Sequence, residues 1–165
     1  MQTKEIDFSA LYHQYYPMIF QVCKGYTGGT TALAEDLAQD VLIHMLNAME
    51  KFRGESSVKT FVYRITVNTC LKHIRKEKKT IKVTALENAE IEEQLVQNRQ
   101  VDQLYEAIGK LNRLQRLIIM MVLDDLKYSE IAEITGLSEA NLRVKIHRIK
   151  KELKQKIEKI HKYGK

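Results

Sequence analysis

Asn141, Arg143 and Lys145 open a basic segment that continues through Arg148 and Lys151. A guanidinium pairs bidentately with guanine, a carboxamide with adenine and an ammonium group with phosphate, so this set suits the edges and backbone of a DNA major groove. A second set lies upstream, where Phe61, Arg64, Asn68, Lys72, Arg75 and Lys79 share one side of a helical wheel, within about 80° at 100° per residue. Its cations can hold phosphates and its aromatic ring can stack on an unpaired base, which suits a single strand; the alternative for Phe61 is core burial. The adjoining polar turn Arg53-Gly54-Glu55-Ser56-Ser57 is able to approach such a strand. The five histidines, His13, His44, His73, His147 and His161, lack ligand spacing with Cys23 and Cys70, so neither a metal nor another cofactor is expected. Both cysteines fall on apolar stripes, where packing is their expected role.

The first set needs a helix-turn-helix, and residues 128–148 read as one. Ser129 is the expected cap of a short helix with Ile131, Ala132 and Ile134 inward; Gly136 makes the turn, Leu137 plugs the angle, and Ser138 caps the second helix. In that second helix Leu142, Ile146, Ile149 and Leu153 form one buried stripe, which turns Val144, His147, Arg148 and Lys151 outward and leaves Asn141, Arg143 and Lys145 on the flanks. The second set needs a long helix, and none of the residues from Val58 to about Lys78 is a Pro or Gly. Before it come two amphipathic patterns. One has Leu11, Tyr15, Ile19 and Cys23 every four residues and is broken by Gly25 and the Gly28-Gly29 pair; the other has Leu33, Leu37, Val41, Met45 and Met49.

These patterns predict an all-α chain of two small helical domains, 8–78 and 101–160, joined by an acidic linker over 79–100. Composition agrees. Among 165 residues there are one Pro and seven Gly, too few for the many turns of a sandwich or barrel. The longest apolar run, Leu117 to Leu123, is far short of the ~20 residues that cross a bilayer. Two distant cysteines behind a polar opening, MQTKEIDF, point to the reducing cytoplasm. The net charge of +6 is unevenly divided. Residues 33–50 hold four acids and no Lys or Arg, 72–82 six bases against Glu77, 83–106 six acids against Arg99, and 143–165 ten bases against Glu152 and Glu158. Two separate basic blocks suggest two contacts with a phosphate backbone; the alternative is helix ends that complement their dipoles. Halves of ~75 residues bury only about 60% of their unfolded surface, so each is expected to be marginal alone and to gain a fixed arrangement on a partner.

Over nearly its whole length the chain resembles the small two-domain sigma factors of bacterial RNA polymerase, the extracytoplasmic-function group. AEDLAQDVLIHML (Ala34 to Leu46) is similar to the family's core-polymerase-binding helix, TFVYRITVNTCLKHIRK (Thr60 to Lys76) to its minus-ten reader, and Leu111 to Leu153 to its minus-thirty-five-reading domain. The chain departs from the family pattern in three places: it has no Trp near Phe61, it has Asn112 where Pro is frequent, and Ala140 to Ile146 lacks the usual Thr and Ser. The resemblance implies that Asp36, Gln39 and Asp40 meet core polymerase, with Leu42, Ile43 and Leu46 as apolar support. It also assigns Arg53, Phe61, Arg64, Asn68, Lys72 and Arg75 to the minus-ten element. Ser138, Asn141, Arg143, Val144, Lys145, His147, Arg148 and Lys151 go to the minus-thirty-five element. It further implies a non-enzymatic initiation factor, monomeric when free, with core polymerase, promoter DNA and an anti-sigma protein as partners and the linker crossing polymerase's interior. The rival reading is a stand-alone helix-turn-helix regulator that dimerises through its first half.

Overall fold

The computed structural model describes residues 7–80 and 99–163. Among these, seven helices and no strand are found: α1 (Phe8–Tyr26), α2 (Thr31–Met49), α3 (Val58–Thr80), α4 (Arg99–Gly109), α5 (Arg113–Leu123), α6 (Tyr128–Thr135) and α7 (Glu139–Tyr163). The all-α expectation holds. Most of the expected linker, 81–98, lies outside the described residues, and its margins are helical, with Lys79 and Thr80 ending α3 and Arg99 and Gln100 beginning α4.

The first three helices form a bundle because each presents an apolar stripe at helical spacing. Ile19, Val22 and Cys23 of α1 meet Leu37, Val41 and Met45 of α2 and Val62, Val67 and Cys70 of α3, all buried. Both cysteines are free thiols in this core, and the Cys23 thiol beside Cys70, together with burial, pushes the Cys70 thiol up. The Asp7 carboxylate caps α1 by accepting the Ala10 N–H at 3.2 Å, and the Ser57 hydroxyl caps α3 by accepting the Thr60 N–H at 3.1 Å.

Gly25 does not break α1, as the sequence suggested; the helix runs through it to Tyr26, and the break falls at Thr27 to Gly29. Gly25 serves close approach instead. A Cβ there would lie 2.3 Å from Sδ of Met120 in α5, so the helices meet where one side chain is missing. This contact belongs to a wider junction between the halves. The half-buried Arg116 guanidinium donates to the carbonyls of Tyr26 at 2.9 Å, Leu111 at 3.0 Å and Gly109, satisfying acceptors at the ends of α1 and α4. The two halves therefore share one contiguous apolar core, in place of the loosely joined pair expected from their size.

Candidate nucleic-acid interface

Gly136, at φ +73°, turns the chain between α6 and α7 in the left-handed region that glycine adopts without strain. The start of α6 differs from expectation. Lys127 precedes the helix and its N–H donates to Glu130 Oε2 at 2.9 Å, so Ser129 lies inside the first turn and the carboxylate ties that turn back to the residue before it. Ser138 does cap α7, accepting the Asn141 N–H at 3.3 Å. Leu142, Ile146, Ile149 and Leu153 are all buried, the stripe read from the sequence. As a result Ser138, Asn141, Arg143, Val144, His147, Arg148 and Lys151 are exposed, with Lys145 half-buried beside them. Arg143 is not loose on this face. Its guanidinium lies 5.3 Å from the Tyr128 ring centre and 3.7 Å from the Glu139 carboxylate, which aims it along the first turn of α7.

On α3, Phe61 is half-buried with its ring 4.7 Å from that of Phe52, tilted by 47°. Both rings line a cleft of about 240 Å³ with Lys51, Arg53, Glu55, Ser56 and Arg64. The polar turn thus meets the helix, and Arg53, Phe61 and Arg64 come together at one opening. Asn68, Lys72 and Arg75 are exposed on later turns of the same helix and do not reach the cleft, since each turn adds ~5.4 Å. The first turns of α3 also touch the second half, through Arg64 and through residues for which no role was read from the sequence. Lys59 Nζ lies 3.1 Å from the Asp124 carboxylate, the Thr60 hydroxyl donates to Glu130 Oε1 at 2.8 Å, and Arg64 pairs with Glu133. The Lys127 N–H and the Thr60 hydroxyl hold the Glu130 carboxyl below its ordinary 4.5, and burial with Asp124 alongside pushes the Tyr63 phenol up. The sequence holds one signal that would have drawn attention to α6, the acidic pair Glu130 and Glu133 on a short helix inside a basic half, but it does not name their partners.

The acidic helix α2 turns Asp36, Gln39 and Asp40 to solvent. Beside them Ile43 and Leu46 are 58% and 48% exposed and Leu42 half-buried, an apolar patch that the core leaves uncovered. Among the described residues no group of three metal-ligating side chains lies together, and no helix is long and apolar enough to cross a membrane.

An all-helical chain with a helix-turn-helix in one half and a basic, aromatic-lined cleft in the other has the build of a two-part DNA-binding transcription factor. The family model for Sigma-70 region 2 matches residues 11–80 and that for Sigma-70 region 4 matches residues 101–153. The chain belongs to the sigma-70 family of RNA polymerase sigma factors, in its extracytoplasmic-function group. Among its relatives, RNA polymerase sigma factor YlaC of Bacillus subtilis is 31% identical over 158 residues, covering 90% of this chain and 91% of that one. The ECF RNA polymerase sigma factor SigW of the same organism is 25% identical, covering 94% and 93%. In fold the chain is similar to the sigma factor RpoE solved with the anti-sigma factor NepR from Bartonella quintana, with a TM-score of 0.79, 19% identity and coverage of 92% and 97%. It is also similar to CnrH solved with the cytosolic domain of CnrY, at a TM-score of 0.60, 18% identity and coverage of 90% and 85%. Matches to both regions on one chain do not favour the stand-alone regulator.

Proposed function

We propose that this chain binds core RNA polymerase through α2 and directs promoter-specific initiation by reading a minus-ten element with α3 and a minus-thirty-five element with α7. The observation that carries this reading is the presence of two separate cation-bearing faces on one chain. An exposed set of amide and basic side chains lies along α7, and an aromatic-lined cleft of about 240 Å³ lies beside α3. Opening DNA costs a few kcal/mol per unstacked base, and capture of the base on aromatic and cationic groups offsets that cost. Arg53, Phe61 and Arg64 are assigned to that capture, with Asn68, Lys72 and Arg75 tracking the strand. Ser138, Asn141, Arg143, Val144, Lys145, His147, Arg148 and Lys151 are assigned to the upstream duplex. Asp36, Gln39 and Asp40 meet basic groups of the polymerase, and Leu42, Ile43 and Leu46 supply apolar contact. No step requires a catalytic group, and the place of action is the cytoplasm. By analogy with the complexes of RpoE with NepR and CnrH with CnrY, an anti-sigma protein is a further partner.

The assignment of α2 is tested by size-exclusion chromatography with purified core polymerase. The wild-type chain is expected to co-elute, and Ile43→Asp/Leu46→Asp to elute apart from it with an unchanged helical spectrum. Co-elution of the double variant at the wild-type level removes these residues from the interface.

A further inference from the structure

We propose that Tyr128 and Glu139 set the base specificity of α7 by keeping the Arg143 guanidinium at base edges and away from the phosphates on either side. The inference rests on the assignment of α7 to an upstream duplex, and it adds two residues outside that assignment. Tyr128 is the first residue of α6 and Glu139 the first of α7. The two helices pack together across the left-handed turn at Gly136, with Ile131 and Ile134 of one and Leu142 and Ile146 of the other buried. That packing brings a ring from one helix beside a guanidinium of the next. The Arg143 Cζ lies 5.3 Å from the Tyr128 ring centre, and its Nη2 lies 3.7 Å from Glu139 Oε2. The ring is half-buried and packs against the apolar core, so it offers the arginine an anchored surface.

An arginine on the first turns of a recognition helix has two kinds of acceptor within reach, and its phosphate contacts carry no sequence information. What decides between them is where the side chain rests before DNA arrives. An aromatic face attracts a flat guanidinium by its quadrupole and leaves the in-plane N–H fork pointing outward, the part that guanine O6 and N7 require. The Glu139 carboxylate draws one edge of the fork along the same turn and offsets part of its charge, which weakens the pull of the phosphates. The Arg143 and Glu139 side chains are 65% and 49% exposed, so water and salt screen that pair and the ring is the stronger restraint. A Glu139 that only complements the helix dipole has no effect on base choice, and a Tyr128 that only packs has an effect common to every DNA sequence.

The test is run-off transcription by the full chain with purified core polymerase on promoter fragments randomised through the upstream element, with transcripts counted by sequence. Arg143→Ala is expected to flatten a guanine preference at one position. Tyr128→Leu is expected to lower that preference about two- to fivefold, the worth of one exposed cation–π contact, and to leave the other positions as they were. Tyr128→Phe keeps the ring and is expected to keep the preference. Glu139→Gln, on an exposed side chain, is expected to raise output from fragments lacking the guanine relative to those that have it by about twofold. It carries the test alone if Tyr128→Leu loses helical content. A guanine preference that survives Arg143→Ala or Tyr128→Leu, a uniform loss over all fragments in Tyr128→Leu, an equal loss in Tyr128→Phe, or an unchanged ratio in Glu139→Gln overturns the positioning role. These outcomes leave a wild-type chain that still initiates selectively, whereas a wild-type chain that never initiates sinks the reading beneath it.

Discussion

Arg143 combines donors for guanine with a place at the start of α7, where its guanidinium lies beside the Tyr128 ring and the Glu139 carboxylate. If it makes a bidentate base contact, Arg143→Ala costs about 1–3 kcal/mol, or roughly five- to 150-fold in affinity for an upstream-element duplex. Asn68→Ala, on the face of α3 proposed to track the strand, is expected to leave that duplex affinity unchanged and to slow promoter opening, read by permanganate reactivity of unpaired thymines. A different residue-scale prediction concerns His73, whose ring nitrogen lies 3.1 Å from the Tyr26 hydroxyl. Burial, with Arg113 and Lys76 nearby, holds the imidazole below its ordinary 6.5, against a smaller opposing pull from Asp40. The folded state thus prefers the neutral ring, so its contribution to stability is complete above pH 6.5 and is lost as the pH falls below it. The wild-type Tm is expected to drop between pH 7.5 and 5.5 by more than that of His73→Gln; parallel profiles would exclude His73 as the cause. The candidate readers on α7 were legible because the buried stripe of four aliphatic residues fixes the opposite face by geometry alone. Lys59, Thr60 and Glu133 were not legible, because their partners are some 65 to 70 positions away in sequence and no periodicity encodes such a pairing.

At the scale of elements, boundaries followed capping chemistry wherever the cap was local. Asn112 stands where the family often has Pro, yet it starts α5 with a reciprocal pair: its side chain accepts the Gln115 N–H at 3.0 Å and its own N–H donates to Gln115 Oε1 at 3.0 Å. Asn112→Ala is expected to cost about 1 kcal/mol, with both DNA faces unaltered; an unchanged midpoint in a urea melt would show that the pair contributes nothing. The start of α6 was misread because the helix begins before Ser129, at Tyr128, with the Glu130 carboxylate tied back to the Lys127 N–H. Gly25 was misread for a tertiary reason, since its lack of a side chain answers to Met120 in another helix and not to a turn. A local pattern that names a glycine cannot distinguish these two uses.

For the whole molecule, the order of charge along the chain matters more than its total of +6. The acidic block of α2 faces solvent beside uncovered Ile43 and Leu46, whereas the acids of α6 are turned onto α3, so acidic surfaces of one chain differ in placement: one faces outward and one is held against the chain's own polar and cationic groups. The shared core that joins the halves was not visible from their lengths, which suggested two marginal units; Met120 on Gly25 and Arg116 on the ends of α1 and α4 supply the junction. A chain built this way is expected to depend on polymerase to separate its halves and to have weak affinity for promoter DNA alone. The central claim is tested most directly by run-off transcription on a library of promoter fragments, with purified core polymerase and this chain. Discrete transcripts are expected from a subset of fragments, and only when both are present. Transcription that is unchanged by adding the chain would contradict it.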